Sequence, residues 1–183
     1  MLLLHTLQLL PLLLMLAWAA VEDLRTRRIR NWLTFSLLCT GIAHGLTGAG
    51  GGAGSIGSSL AGAGVGFFLP LLLFAIGAMG GGDVKLLAGV GAWIGPMPVF
   101  QVFCAAAIVG MVIVLGQAAA QGRLRILSRN SAVLAVNLVH LGDVGVEHAA
   151  ATGRSCRSVE KPLPYAVPVL LAVSSLLAAG WIG

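Results

Sequence analysis

The sequence predicts an all-α integral membrane protein, a bundle of six transmembrane helices with both chain ends on the outer side of the membrane. Three observations carry that prediction. Of 183 residues, 58% are apolar and only 9% charged, where soluble domains carry about 25% charged residues. The charges are gathered into three short zones, and the uncharged stretches between them have the length of one or two spans each. So few charges cannot cover a soluble globule, so the composition excludes a cytosolic enzyme, a disordered tail and a disulfide scaffold. The net charge of +5 would suit a nucleic-acid partner, but the basic residues lack the interleaved aromatics of such a surface.

The first zone holds Glu22, Asp23, Arg25, Arg27, Arg28 and Arg30, and the second only Asp83 and Lys85. The third runs from Arg123, Arg125 and Arg129 through Asp143, Glu147, Arg154 and Arg157 to Glu160 and Lys161. If positive segments stay cytoplasmic, all three zones share one side, and an even number of spans separates each neighbouring pair.

The chain then divides, as a single membrane domain over residues 1–183, into spans at about 2–21, 31–48, 56–78, 84–97, 99–120 and 163–182, with a cytoplasmic loop at 121–162. Gly48 to Gly54 makes the outside turn between the second and third spans. Gly95-Pro96-Met97-Pro98 breaks the helix between the fourth and fifth, because Pro and Gly interrupt helices. Leu2 to Leu16 has the apolarity of a signal peptide, and Ala17-Trp18-Ala19 the form of a cleavage site. No Lys or Arg precedes that run and four Arg follow it, so a retained first span with its N-terminus outside is expected.

Gly54, Ser58, Gly62 and Gly66 recur every four residues in the third span, which places them on one helix face and permits close approach to a neighbour. In the cytoplasmic loop, Leu124, Leu127, Leu134, Leu138 and Leu141 fall near helical spacing and fit an amphipathic helix on the membrane surface. A solvated loop fits Asp143 to Lys161 equally well. Cys39, Cys104 and Cys156 form no CxxC pair. His5, His44, His140 and His148 show no zinc spacing.

Acids at the edge of hydrocarbon are costly. Asp23 closes the first span and Asp83 opens the fourth, on the same face, so the two can meet. Two carboxylates held close cannot both ionise cheaply, and they titrate as a unit. That arrangement suits an aspartic peptidase, with the ionised partner taking a proton from water and the protonated one polarising the peptide carbonyl. Gly80, Gly81 and Gly82 lack Cβ atoms and would let the backbone leave helical geometry in front of Asp83. Spacing alone leaves open whether Glu22 or Asp23 points inward, and a capping or topology role also fits Asp23 and, less well, Asp83.

Three blocks resemble the type IV prepilin leader peptidases, membrane aspartic peptidases of the GxGD class, in the short form found in Tad/Flp pilus systems. They are Asp23-Leu24-Arg25-Thr26-Arg27-Arg28-Ile29-Arg30-Asn31, Gly80-Gly81-Gly82-Asp83-Val84-Lys85-Leu86 and Leu163-Pro164-Tyr165-Ala166-Val167-Pro168. The resemblance implies that Asp23 and Asp83 are the catalytic pair, with Gly80, Gly82 and Lys85 as supporting motif residues. It also implies a bacterial inner-membrane endopeptidase, both termini periplasmic, that removes the basic leader of prepilins or pseudopilins at the cytoplasmic face. No cofactor or metal is implied. Arg30 stands where the family usually has Pro. The cysteine-bearing N-terminal domain of the larger bifunctional relatives is not seen, so peptidase activity without N-methyltransferase activity is expected. Two other classes remain: a proton-coupled carrier, because paired membrane carboxylates suit ion paths, and a non-catalytic pilus or secretion assembly subunit.

The topology has a direct test. Cysteines placed at Gly51 and Arg157 are expected to label from opposite sides of the membrane, and labelling from one side contradicts six spans.

Overall fold

A computed structural model describes residues 2–47, 55–75, 77–139, 151 and 164–181. The described residues form seven helices and no strand. They are α1 (Leu2–Thr26), α2 (Asn31–Leu46), α3 (Ile56–Ala75), α4 (Gly81–Ile94), α5 (Pro96–Ala120), α6 (Leu124–Val139) and α7 (Ala166–Ala178). Six of these overlap in position with the segments read as spans, and α6 overlaps the stretch read as amphipathic. The expected turn at Gly48 to Gly54, the segment from Asp143 to Lys161 with Cys156, and the residues Leu141 and Leu163 lie outside the described residues.

The helix boundaries follow from local chemistry. Gly95 alone separates α4 from α5, at φ 86°, a left-handed conformation that Gly adopts without a Cβ penalty. The expected four-residue turn is therefore a single residue. Pro96 occupies the first position of α5, where its missing N–H leaves no bond unmade, and Pro98 lies inside the first turn. α3 and α5 are long and apolar enough to cross a membrane. α4 has 14 residues, about 21 Å at 1.5 Å per residue, short of a hydrocarbon core of about 30 Å.

That short helix is the centre of the bundle. Val84 and every residue from Leu86 to Ile94 are buried, as expected of a helix that is apolar all round. α2, α3 and α5 pack around it. Toward α3 the approach is backbone to backbone: a Cβ on Gly62 would strike the Gly91 carbonyl, one on Gly66 the Leu87 carbonyl, and one on Gly91 the Gly62 carbonyl. Gly62 and Gly66 of the expected ridge thus lie on a packing face, where Ser59 and Pro70 are also buried; Ser58 is half-buried, and Gly54 lies outside the described residues. Toward α2, the buried indole of Trp93 donates to the Leu37 carbonyl oxygen at 3.1 Å and stacks on His44 at a ring separation of 5.0 Å.

α1, α5 and α7 close the other side, where Leu12, Leu16, Val102, Ala106, Val169 and Val173 are almost fully buried. The opposite faces carry exposed apolar side chains, among them Phe35, Phe68, Leu72, Ile108 and Val112.

The α3–α4 contact separates two glycines of one helix. Gly62→Ala, which meets backbone, is expected to destabilise the detergent-solubilised protein by about 1–3 kcal/mol, the usual range for overpacking. Gly64→Ala, with nothing within 4 Å of the added methyl, is expected to stabilise it by about 0.5–1 kcal/mol. Thermal unfolding of the two variants measures the difference.

Candidate active site

The candidate site lies where the end of α1, the start of α4 and the start of α7 converge. α1 ends in a left-handed cap. The Arg27 N–H donates to the Asp23 carbonyl oxygen at 2.9 Å with Arg27 at φ 53°, an uncommon conformation for a residue with a Cβ. The Thr26 hydroxyl braces the turn by contacts of 3.0 Å with the Glu22 and Arg28 carbonyl oxygens. The chain can therefore reverse within Arg27 to Arg30 and start α2 at Asn31.

The reversed linker is tied to α4. Ile29 lies over Gly82, where an added Cβ would sit 3.6 Å from the Ile29 Cβ. The Lys85 ammonium donates to Asn31 Oδ1 at 2.9 Å. Lys85 is thus a brace between α4 and α2, and its own side chain is exposed. Gly80 to Gly82 do not break the helix as expected. Gly80 is its extended N-cap, at φ −83° and ψ 147°, while Gly81 and Gly82 form its first turn, because their backbone N–H groups at a helix start need no intrahelical partner.

Asp83 is the third residue of α4, and its Oδ2 accepts the Gly80 N–H at 3.3 Å. A carboxylate at this position satisfies one of the orphan N–H groups of the helix start and lies at the positive end of the helix dipole. A Cβ on Gly80 would come within 3.1 Å of that same oxygen, so Gly80 also makes room for the carboxylate.

Asp23 is 6% exposed. Its Oδ2 accepts the N–H of Ala166, the first residue of α7, at 3.4 Å. Each acid is therefore held at a helix N-terminus, Asp83 at that of its own helix and Asp23 at that of α7. Glu22 faces elsewhere: its Oε1 pairs with the Arg30 guanidinium at 3.5 Å, and its other oxygen is buried without a partner among the described residues. Of the two neighbouring acids, Asp23 is the one turned toward α7.

Both aspartates lie just beyond the apolar spans read at 2–21 and 84–97, at the polar end of the bundle. Burial pushes the Asp83 carboxyl up to about 6; the charge of Asp23 adds to that, and the Gly80 N–H opposes it. Burial raises Asp23 as well, against the Ala166 N–H and the charge of Arg27. Two neighbouring carboxylates of which one holds its proton up to about pH 6 can serve as acid and base together.

Tyr165 also belongs here and was read in the sequence only as part of a block. It caps α7 immediately before Ala166, and its hydroxyl is buried without a partner among the described residues. No periodicity or spacing marks a phenol as facing carboxylates more than 80 positions away; only the packing of α7 against α1 and α5 puts it there.

The described residues thus form an all-helical bundle with Asp83 at the start of its central helix and Asp23 near the end of α1. The model of the type IV leader peptidase family matches residues 10–115, more than half of the chain and including both aspartates. The chain belongs to that family and is a leader-peptidase type of protease. No curated protein and no solved structure matches it.

The coupling of the two acids is measurable. Asp83 is expected to lose its proton near pH 6, and Asp23→Asn, by removing a negative charge, is expected to move that midpoint down. The protonated-carboxyl infrared band, assigned by its loss in Asp83→Asn, reports it. An unchanged midpoint contradicts the interaction.

Proposed function

We propose that the chain is an aspartic endopeptidase that removes the basic leader of prepilins or pseudopilins at the cytoplasmic face of the bacterial inner membrane. On this reading it is one membrane domain of six spans with both termini periplasmic, and α6 lies along the cytoplasmic surface. The observation that carries the reading is the placement of Asp23 and Asp83 at two helix N-termini at the same end of the bundle, inside a leader peptidase family match. The outward apolar faces of α2, α3 and α5 support a lipid setting.

Burial raises both carboxyls; we assign the acid role to Asp83, whose affinity reaches about 6, and the base role to Asp23. Asp23 takes a proton from water as the water oxygen bonds to the scissile carbonyl carbon, and the carbonyl oxygen takes the proton of Asp83. The resulting gem-diol collapses as the C–N bond breaks. Asp23 passes its proton to the leaving nitrogen, and one diol hydroxyl returns a proton to Asp83. Both acids finish as they began, so a single pair of carboxylates suffices for turnover.

A helical substrate must unwind locally before it can be cut, and freed peptide groups are costly in hydrocarbon. A site at the polar end of the bundle lowers that cost by giving them polar partners. The Arg27 to Arg30 linker, held over α4 by Ile29 and by Asn31, lies at this same end and would border the path of the leader.

Cleavage of a co-expressed prepilin tests the reading. Asp23→Asn and Asp83→Asn are each expected to abolish cleavage while the protein still accumulates in the membrane, and normal cleavage by either variant contradicts the acid pair.

A further inference from the structure

The Tyr165 hydroxyl is a buried polar group at this end of the bundle that the acid-pair mechanism leaves unused. The residue immediately precedes the N–H that Asp23 accepts, so it is fixed at the same corner of the bundle. Its ring packs against the apolar core, and its hydroxyl is buried without a hydrogen-bond partner among the described residues. Asp23 is held at the adjacent residue, and the charge of Asp83 from α4 also reaches the phenol.

A phenol O–H buried without an acceptor disfavours the fold, because it has given up water and received nothing in exchange. A phenylalanine would fill the same space at no such cost. A substrate reverses the balance. When its helix unwinds at the cleavage point, its carbonyl oxygens lose their intrahelical donors and need others. The scissile oxygen needs them most, because negative charge builds on it as water attacks, and donors already in place are worth most at that moment. That oxygen must lie beside Asp83, the acid that protonates it, and Tyr165 stands at the corner of the same site where the neighbouring Ala166 N–H holds Asp23.

We propose that the Tyr165 hydroxyl is a catalytic hydrogen-bond donor that binds the scissile carbonyl oxygen alongside Asp83 and is left without a partner until substrate arrives. Tyr165 keeps its proton throughout; it stabilises the developing charge and transfers nothing. The inference rests on the acid-pair reading and goes beyond it, since Tyr165 lies outside the residues matched by the family model.

Tyr165→Phe tests it in the purified full chain in detergent micelles, cleaving a precursor made of a basic leader joined to an apolar helix. The expected result is a fall in kcat on the order of 10²-fold, the usual effect of removing one such donor, with KM and the pH profile unchanged. The thermal midpoint without substrate should equal or exceed that of the wild type, because the variant loses an unpaired buried hydroxyl. Three results would overturn the proposal: an unaltered kcat; a lowered midpoint, which would make the hydroxyl a structural bond; or a loss of rate that follows a shifted pH profile, which would make it act through the ionisation of Asp83. Asp23→Asn and Asp83→Asn in the same assay separate the two readings. If both are inactive while Tyr165→Phe cleaves at full rate, the donor fails alone; if they cleave normally, the acid pair itself fails.

Discussion

The contact between the backbones of α3 and α4 sets the position of everything else in the bundle. Gly62 and Gly66 on one helix and Gly91 on the other leave no room for a Cβ, so the two helices lie closer than side chains would permit. Such contacts draw on dispersion between main chains rather than on expulsion of water, which suits a helix pair surrounded by apolar groups. With α3 pressed on one side and Trp93 bonded to Leu37 on another, α4 is enclosed from Leu86 to Ile94. Its shortness then has a reason: a helix shielded by protein need not match the thickness of the hydrocarbon. It must only deliver its first turn to the polar end.

That first turn carries Asp83, and the same end receives Asp23 from α1 and the start of α7. Burial works against ionising either carboxylate, while the two helix N-termini work for it, through the Gly80 N–H at Asp83 and the Ala166 N–H at Asp23. Neither tendency wins outright. Asp83 is left with its proton affinity raised to about 6, so it holds its proton in mildly acidic solution and exchanges it readily closer to neutrality. The proposed division of labour between the two acids comes from this balance and needs no further ionisable group.

Much of this was legible in the sequence because charge is scarce there. With acids in only three zones, parity placed Asp23 and Asp83 on one face, and the helices of the bundle fall on the expected segments. What misled was local. Three glycines before Asp83 suggested a broken helix, yet a helix start tolerates them and α4 begins on them. Two prolines after Gly95 suggested a long turn, but proline fits the opening of α5, and one left-handed glycine suffices. What was hidden was tertiary. Spacing does not tell Glu22 from Asp23; in the fold Glu22 pairs with Arg30 while Asp23 accepts the Ala166 N–H, and the place of Tyr165 follows from the packing of α7 against α1 and α5.

The central claim is that Asp23 and Asp83 act as one unit, and the most direct measurement is the cleavage rate of Asp23→Asn, Asp83→Asn and the double variant on one precursor. Groups that share a single step are non-additive. The account predicts that the double variant is no slower than either single one, all three lying at the uncatalysed background. Single variants that keep partial activity, with losses that multiply in the double, would contradict it.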